Sequence, residues 1–160
     1  MNLQFRRLSE VDRQDIIALN THPLVLRQMP LGTTEISDAE CAKWVEGKEA
    51  QWKQHGYGPW AFVADGGFIG WGGLQYENGD ADLALVLHPT YWGLGYAVYQ
   101  EIIRRAFMEM GLPSVTILLP PTRTRIKGLS RLGFQPDGQV DYDGERFVRY
   151  RLFNDTAGRS

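Results

Sequence analysis

The segment Tyr91-Trp92-Gly93-Leu94-Gly95-Tyr96-Ala97 carries the residue types and spacing best suited to chemistry. Two glycines bare the backbone immediately before a helical pattern. The first amides of a helix lack internal partners, and its dipole favours negative charge there. Such a turn serves a phosphorylated or otherwise anionic ligand, although a strand–helix turn also uses glycine for backbone reasons alone. Two other reactive types stand apart from it. His22 lies in the break Asn20-Thr21-His22-Pro23, where a histidine beside proline reads as solvated as well as catalytic. Cys41 is the lone cysteine; it excludes an intramolecular disulfide, and in a buried helix it reads as inert.

The elements around the glycine turn must hold it. Leu83 to Leu87 form an unbroken apolar run, which predicts a strand buried on both faces, ended by His88, Pro89 and Thr90. After the turn, Val98, Ile102, Ala106 and Met110 recur every four residues, widened by Tyr99, Ile103 and Phe107. Polar residues from Gln100 to Glu109 take the opposite side, and Gly111 is placed to stop the helix. Pro113 leads into a strand over Ser114 to Leu119, which completes a parallel strand–helix–strand unit.

Upstream, a strand is expected over Leu3 to Leu8, then a helix through Ile16, Ile17 and Leu19 with Ser9 and Asp12 as a weak capping pair. Val25 to Thr34 is irregular. Ser37 and Glu40 form an S-x-x-E signature for a helix from Asp38 to His55, closed by Gly56 and Gly58. Asp65-Gly66, Asn78-Gly79 and Asp143-Gly144 mark three hairpins, the last joining about Gly138–Tyr142 to Arg146–Phe153. Glycines at 70, 72 and 73 within one strand predict a bulge or a close backbone approach. Pro120-Pro121 stops the strand after the long helix, Thr122 to Leu132 reads as a short helix, and Gly133-Phe134 ends it.

At 160 residues, with 43% hydrophobic and 22% charged residues, one domain over residues 1–153 with a tail over 154–160 is expected. The net charge of −2 argues against a nucleic-acid-binding surface. No apolar run approaches the roughly 18 residues of a membrane helix, and the first residues lack a signal-like segment. With the single cysteine, these features point to a cytoplasmic protein.

The Tyr-Trp-Gly-x-Gly-Tyr-Ala text after an apolar strand resembles the acyl-CoA pyrophosphate loop of the GNAT N-acetyltransferases. It is most like the branch that contains the ribosomal-protein N-terminal acetyltransferases. Trp60-Ala61-Phe62-Val63 and Phe68-Ile69-Gly70 resemble the family's second and third strands, and Leu132-Gly133-Phe134 its terminal Leu-Gly-Phe. The resemblance implies a mixed α/β fold: a central, mostly antiparallel sheet with a splayed parallel strand pair, flanked by helices. It implies acetyl-CoA as co-substrate, no metal, and an amine acceptor. Pantetheine would pair with Val86, Leu87 and His88, and the pyrophosphate would lie on Trp92, Gly93, Leu94, Gly95, Tyr96 and Ala97. Trp92 replaces the family's Arg/Gln and brings no charge, which leaves room for help from Arg123, Arg125 or Lys127.

Within that resemblance Asp82, seven residues before Pro89, stands where the branch commonly has Glu and becomes the base candidate. Alternation puts it on one face with Ala84, Val86 and His88, but six residues of strand separate it from His88 by roughly 20 Å, which excludes a direct dyad. The usual acid, a Tyr four residues before the glycine of Gly-Phe, is Leu129 here; the branch's Asn-x-x-Ser becomes Thr122-x-x-Arg125. Tyr91, Tyr96 and Tyr142 remain as hydroxyl donors. Met29, Pro30, Trp44 and Trp52 are expected either to shape the acceptor pocket or to pack on the sheet. Two functions stand: direct acetyl transfer from acetyl-CoA to a primary amine (a small molecule or a protein N-terminus), or an acyl-CoA-binding sensor of the same fold. A nucleotide-binding oxidoreductase lacks its G-x-G-x-x-G and downstream acid. Exposed edge strands admit a homodimer.

Overall fold

The computed structural model describes residues 2–29, 32–121 and 127–155. Among these, seven strands form one sheet in the order β1-β2-β3-β4-β5-β7-β6. They are β1 Leu3–Arg6, β2 Pro59–Ala64, β3 Gly67–Glu77, β4 Asp80–Leu87, β5 Ser114–Leu119, β6 Gln135–Tyr142 and β7 Glu145–Phe153. Every neighbouring pair is antiparallel except β4 and β5, which are parallel and register only at Asp82 and Thr116. This is the mixed architecture with a splayed parallel pair that the sequence implied.

The three hairpins close as the turn chemistry dictates. Asp65 and Gly66, Asn78 and Gly79, and Asp143 and Gly144 all have positive φ, the pairing that type I′ turns require. The expectation for residues 70–73 holds as a close backbone approach, while the bulge falls one residue before them. The pairing of β2 with β3 skips Ile69, a bulge that turns Phe68 and Trp71 to one face and Ile69 and Leu74 to the other. A Cβ on Gly72 would lie 2.3 Å from the Ala84 carbonyl oxygen and 3.0 Å from the Leu85 Cα. Both obstacles are backbone, so Gly72→Ala should cost about 3 kcal/mol of stability, read as a lower urea midpoint at unchanged m-value. A midpoint equal to wild type would show that β3 and β4 have room to part.

Four helical segments frame the sheet before β5. They are α1 Arg13–Asn20, the single turn α2 Pro23–Leu26, α3 Asp38–His55 and α4 Gly95–Arg104. A fifth, α5 Lys127–Arg131, precedes β6. Ser37 and Glu40 make the full reciprocal capping box of α3, and Gly56 ends it at φ 77°. Ser9 plays no such part: Leu8–Glu10 is a 3₁₀ turn, and Asp12 alone caps α1 by accepting from the Gln14 N–H. The first strand is therefore shorter than its apolar text, because the chain turns at Arg7. The helix after the glycine turn also changes character. Arg105–Glu109 is a π turn, closed by Met110 N–H to the Arg105 carbonyl, before Gly111 at φ 63°.

Two apolar layers result. Val98 and Ile102 of α4, with Ala106 of the π turn that follows, are fully buried against Phe62, Ile69, Leu74, Leu83 and Leu87. On the other face Leu8, Ile16, Leu19, Cys41 and Val45 pack on Ala61 and Trp71. Alternation along β4 splits its side chains between the layers: Leu83, Leu85 and Leu87 face α4, whereas Ala84 and Val86 face α3. The strand is not sealed on both sides as its unbroken apolar run suggests. Ala84, Leu85 and Val86 are only half-buried, since β5 diverges from β4 and leaves a cleft where a parallel neighbour would have covered them.

Candidate active site

The cleft begins where the parallel pair parts. Asp82 and Thr116 are direct partners, and the Thr116 hydroxyl donates to Asp82 Oδ1 at 2.8 Å. One residue row away, Arg151 of β7 grips Asp80 with two hydrogen bonds of 2.8 and 3.0 Å and also donates to Ser114 of β5 at 2.8 Å. These ties fix the closed end of the parting strands, and with it the position of Asp82. Burial pushes the Asp82 carboxyl up to about 7; the Thr116 hydrogen bond opposes the rise, and the nearby negative charges of Glu77 and Asp80 add to it. A carboxyl held there exchanges a proton near neutral pH, whereas an ordinary aspartate does not.

Two hollows meet at this residue. The first is a cleft of about 780 Å³ between β4 and β5, bordered by Ala84, Val86, Ile117, Leu119 and the start of α4 at Gly95 and Tyr96. The second, about 370 Å³, lies toward α3 and is walled by Met29, Trp44, Lys48, Trp71, Gln75 and Tyr142. Asp82, Gln28 and Leu118 belong to both. A long cofactor in one hollow and a small molecule in the other would approach each other at the Asp82 carboxyl.

The glycine turn is more ordered than an open loop. Pro89–Leu94 is a 3₁₀ turn that runs directly into α4. Several of its amides are already engaged: Thr90 N–H donates to His88 Nδ1, Tyr91 N–H to the His88 carbonyl, and Gly95 N–H to the Trp92 carbonyl. The surface is still bare. Trp92, Gly93, Tyr96 and Ala97 are exposed, Leu94 and Gly95 half-buried, and a Cβ on Gly93 would meet nothing within 4 Å. Trp92, in the position of a charged or amide residue, donates its indole N–H to the Leu87 carbonyl at 2.9 Å and so ties the turn to the strand end.

Along the strand, Val86 borders the cleft and Leu87 is buried. The His88 N–H is taken by the Ile69 carbonyl at 2.8 Å. Since backbone groups alternate sides along a strand, the amides of Leu85 and Leu87 are the ones directed at the cleft. His88 is held at the mouth of the turn with its ring 5.2 Å from that of His22, whose own Nδ1 accepts from the Leu24 N–H. Leu129 lines the cleft. Thr122, Arg123 and Arg125, and with them Pro30, lie outside the described residues.

The aromatic residues divide. Trp44 and Trp71 meet edge to face at 4.9 Å in the smaller hollow, with Met29 beside them. Trp52 does not join them. It donates to the Pro59 carbonyl at 3.0 Å, packs on Trp60 at 5.0 Å and carries the Arg7 guanidinium over its ring. The physical reason is helical phase: eight residues of helix turn Trp52 about 80° away from Trp44. Cys41 is buried and its thiol is pushed up by that burial, as suits an inert side chain. Of the tyrosines, Tyr91 packs on the core, Tyr96 stands at the cleft, and Tyr142 lines the smaller hollow within electrostatic reach of Asp82.

Three contributors escaped the sequence reading. Thr116 became visible only through β4–β5 register. Tyr99 read as part of an apolar stripe, yet it lines the cleft with its hydroxyl pushed up to about 12 by burial. Lys48 had a usable signal, because it stands four residues after Trp44 and therefore on the same helical face.

Residues 2–135 match the family model described as Acetyltransferase (GNAT) domain. A curated relative, the FsC-acetyl coenzyme A-N(2)-transacetylase of Aspergillus fumigatus, is 26% identical over 127 residues. That match takes in 71% of this chain and 53% of the relative, so the chain spans about half the length of that protein. Among solved structures, an acetyltransferase from Agrobacterium tumefaciens aligns with TM-score 0.72 at 21% identity, covering 94% of this chain and 90% of that one. The spermidine N-acetyltransferase of Vibrio cholerae, solved with CoA and spermine, aligns with TM-score 0.72 at 15% identity over 98% of both chains. At these identities the structural likeness speaks for the fold. Among the described residues no helix is long and apolar enough to cross a membrane.

Proposed function

The chain belongs to the GNAT acetyltransferase domain family, and we propose that it moves an acetyl group from acetyl-CoA directly to a primary amine. The observation that carries this reading is the single carboxyl at the junction of two hollows, with a proton affinity suited to neutral pH. The cleft suits the extended cofactor. Backbone of β4 around Val86, Leu87 and His88 would pair with pantetheine, its cleft-facing amides being those of Leu85 and Leu87. The turn from Trp92 through Gly93, Leu94, Gly95 and Tyr96 to Ala97 would receive the pyrophosphate on backbone rather than on side-chain charge.

In the transfer, Asp82 takes a proton from the incoming ammonium, directly or through water, and frees its lone pair. The amine adds to the thioester carbonyl, and the tetrahedral oxyanion collapses with loss of the CoA thiolate. The thiolate takes up the second amine proton, which leaves a neutral amide and the free thiol. Thiols ionise near pH 8.5, so the thiolate departs without a strong acid. That matters here, because the cleft holds Leu129 where relatives of this kind use a tyrosine.

Two acceptor classes fit the family resemblance, a protein N-terminus and a small amine. The loop text favours the first by its likeness to the ribosomal-protein branch. The size and aromatic walls of the smaller hollow favour the second, and we take the small amine as the better reading. Leu129 sustains one alternative, an acyl-CoA sensor with little or no turnover. A thiol-release assay over amines and N-terminal peptides separates them. Release is expected with at least one small amine. Calorimetric CoA binding without release from any acceptor would instead establish the sensor.

A further inference from the structure

Among the described residues, Lys48 is the only cationic side chain that lines the smaller hollow, and no carboxylate pairs with it. Its ammonium donates to Gln75 Oε1 and lies 5.3 and 5.2 Å from the ring centroids of Trp44 and Trp71. Among the described residues, other half-buried cations have acidic partners, as Arg105 has Glu101 and Arg151 has Asp80. Leaving a desolvated ammonium with one amide and two rings is costly, and burial lowers its pKa to about 8, at which it is still mostly charged in neutral solution. Two carboxyls, Asp82 and Glu77, line the same hollow, yet neither forms an ion pair with it. The hollow therefore offers acid on one side and an uncompensated cation on the other.

One residue links the two. Gln75, which Lys48 contacts, is the direct cross-strand partner of Asp82. Side chains so paired have Cβ atoms roughly 5 Å apart. We propose that the acceptor is a compact amino acid, whose carboxylate is held by Lys48 between Trp44 and Trp71 while its amine faces Asp82. The inference rests on the amine-transfer reading above and narrows it. A linear polyamine fits poorly, since its second cation would meet Lys48. One ammonium and one amide also suit a singly charged carboxylate better than a phosphate dianion, which calls for more donors.

The test titrates intrinsic tryptophan fluorescence, with CoA present, against matched amines. The pairs are phenylalanine with phenethylamine and 4-aminobutyrate with butylamine; phosphoethanolamine with ethanolamine is the phosphate arm. In at least one carboxylate pair the acid should bind tenfold or more tightly than the amine that lacks the carboxylate. Lys48→Met should bring that acid down to the level of the counterpart, and Lys48→Arg should retain the preference. Lys48→Gln, with urea midpoints for every variant, guards against a folding defect. Equal binding within both carboxylate pairs, a preference that survives Lys48→Met and Lys48→Gln, or a preference confined to phosphoethanolamine would each overturn the proposal. Thiol release is followed in parallel. Lys48-dependent binding of an amino acid without release would sink the transferase reading and uphold the subsite, whereas equal release from amines with and without the carboxylate would do the reverse.

Discussion

Asp82→Asn is expected to lower kcat/KM at pH 7.5 by about 10²-fold or more, the usual contribution of a positioned base. The pH profile is the sharper readout. Wild-type activity should fall as the pH drops through about 7, where burial has placed the Asp82 carboxyl. The variant should lose that limb while keeping any limb that belongs to the acceptor's own amine. A second measurement separates chemistry from structure. The folded carboxyl binds its proton more tightly than the unfolded one, so the native state holds more protons between pH about 4 and 7. Stability then falls as pH rises across that window and stays low above it. Asparagine cannot ionise, so the variant should be the more stable protein at pH 8, by ~2 kcal/mol once solvent reaching the site from the two hollows is allowed for. Lost turnover with a raised Tm would identify a working base; an unaltered pH profile would return Asp82 to a structural role beside Thr116.

Gly95→Trp should abolish measurable acetyl-CoA binding, a loss of at least about 10²-fold, because two charge-assisted hydrogen bonds to phosphate are worth that much. Gly95 begins α4 with φ −53°, an ordinary helical value, so a larger residue brings no backbone strain. An added Cβ finds its nearest neighbour, Leu87 Cδ1, at 4.0 Å. The obstruction would fall in the cleft that Gly95 borders rather than in the core. Gly95→Ala is accordingly expected to bind CoA nearly as well as wild type. Calorimetry on both variants, with their urea midpoints, decides the matter: full CoA affinity in the tryptophan variant would remove the cofactor from this turn.

Local chemistry made much of the fold legible. The Asp-Gly and Asn-Gly pairs announced hairpins because two successive positive φ values demand such residues. The capping box at Ser37 and Glu40 acts over three residues and reads directly from the text. The glycine turn and the stripe through Val98, Ile102 and Ala106 were equally plain, and the family resemblance supplied the order of strands. Asp82 was legible as a candidate only through that resemblance.

Tertiary structure decided the rest. Nothing in the apolar run Leu83–Leu87 says that β5 registers with β4 at one residue pair and then diverges, since that depends on a strand more than 25 residues away. The parting converts a buried strand into a cleft wall, and the one pair still in register makes Thr116 the partner of Asp82. Which tryptophans face the smaller hollow depends on the phase of α3 against the sheet, so Trp44 lines it and Trp52 does not. Sequence alone determined a strand, a glycine turn and a helix in succession, because those properties arise from neighbours along the chain. The placement of one carboxyl between two hollows, and of one unpaired cation opposite it, required strands and a helix distant in sequence to meet, and only the folded chain brings them together.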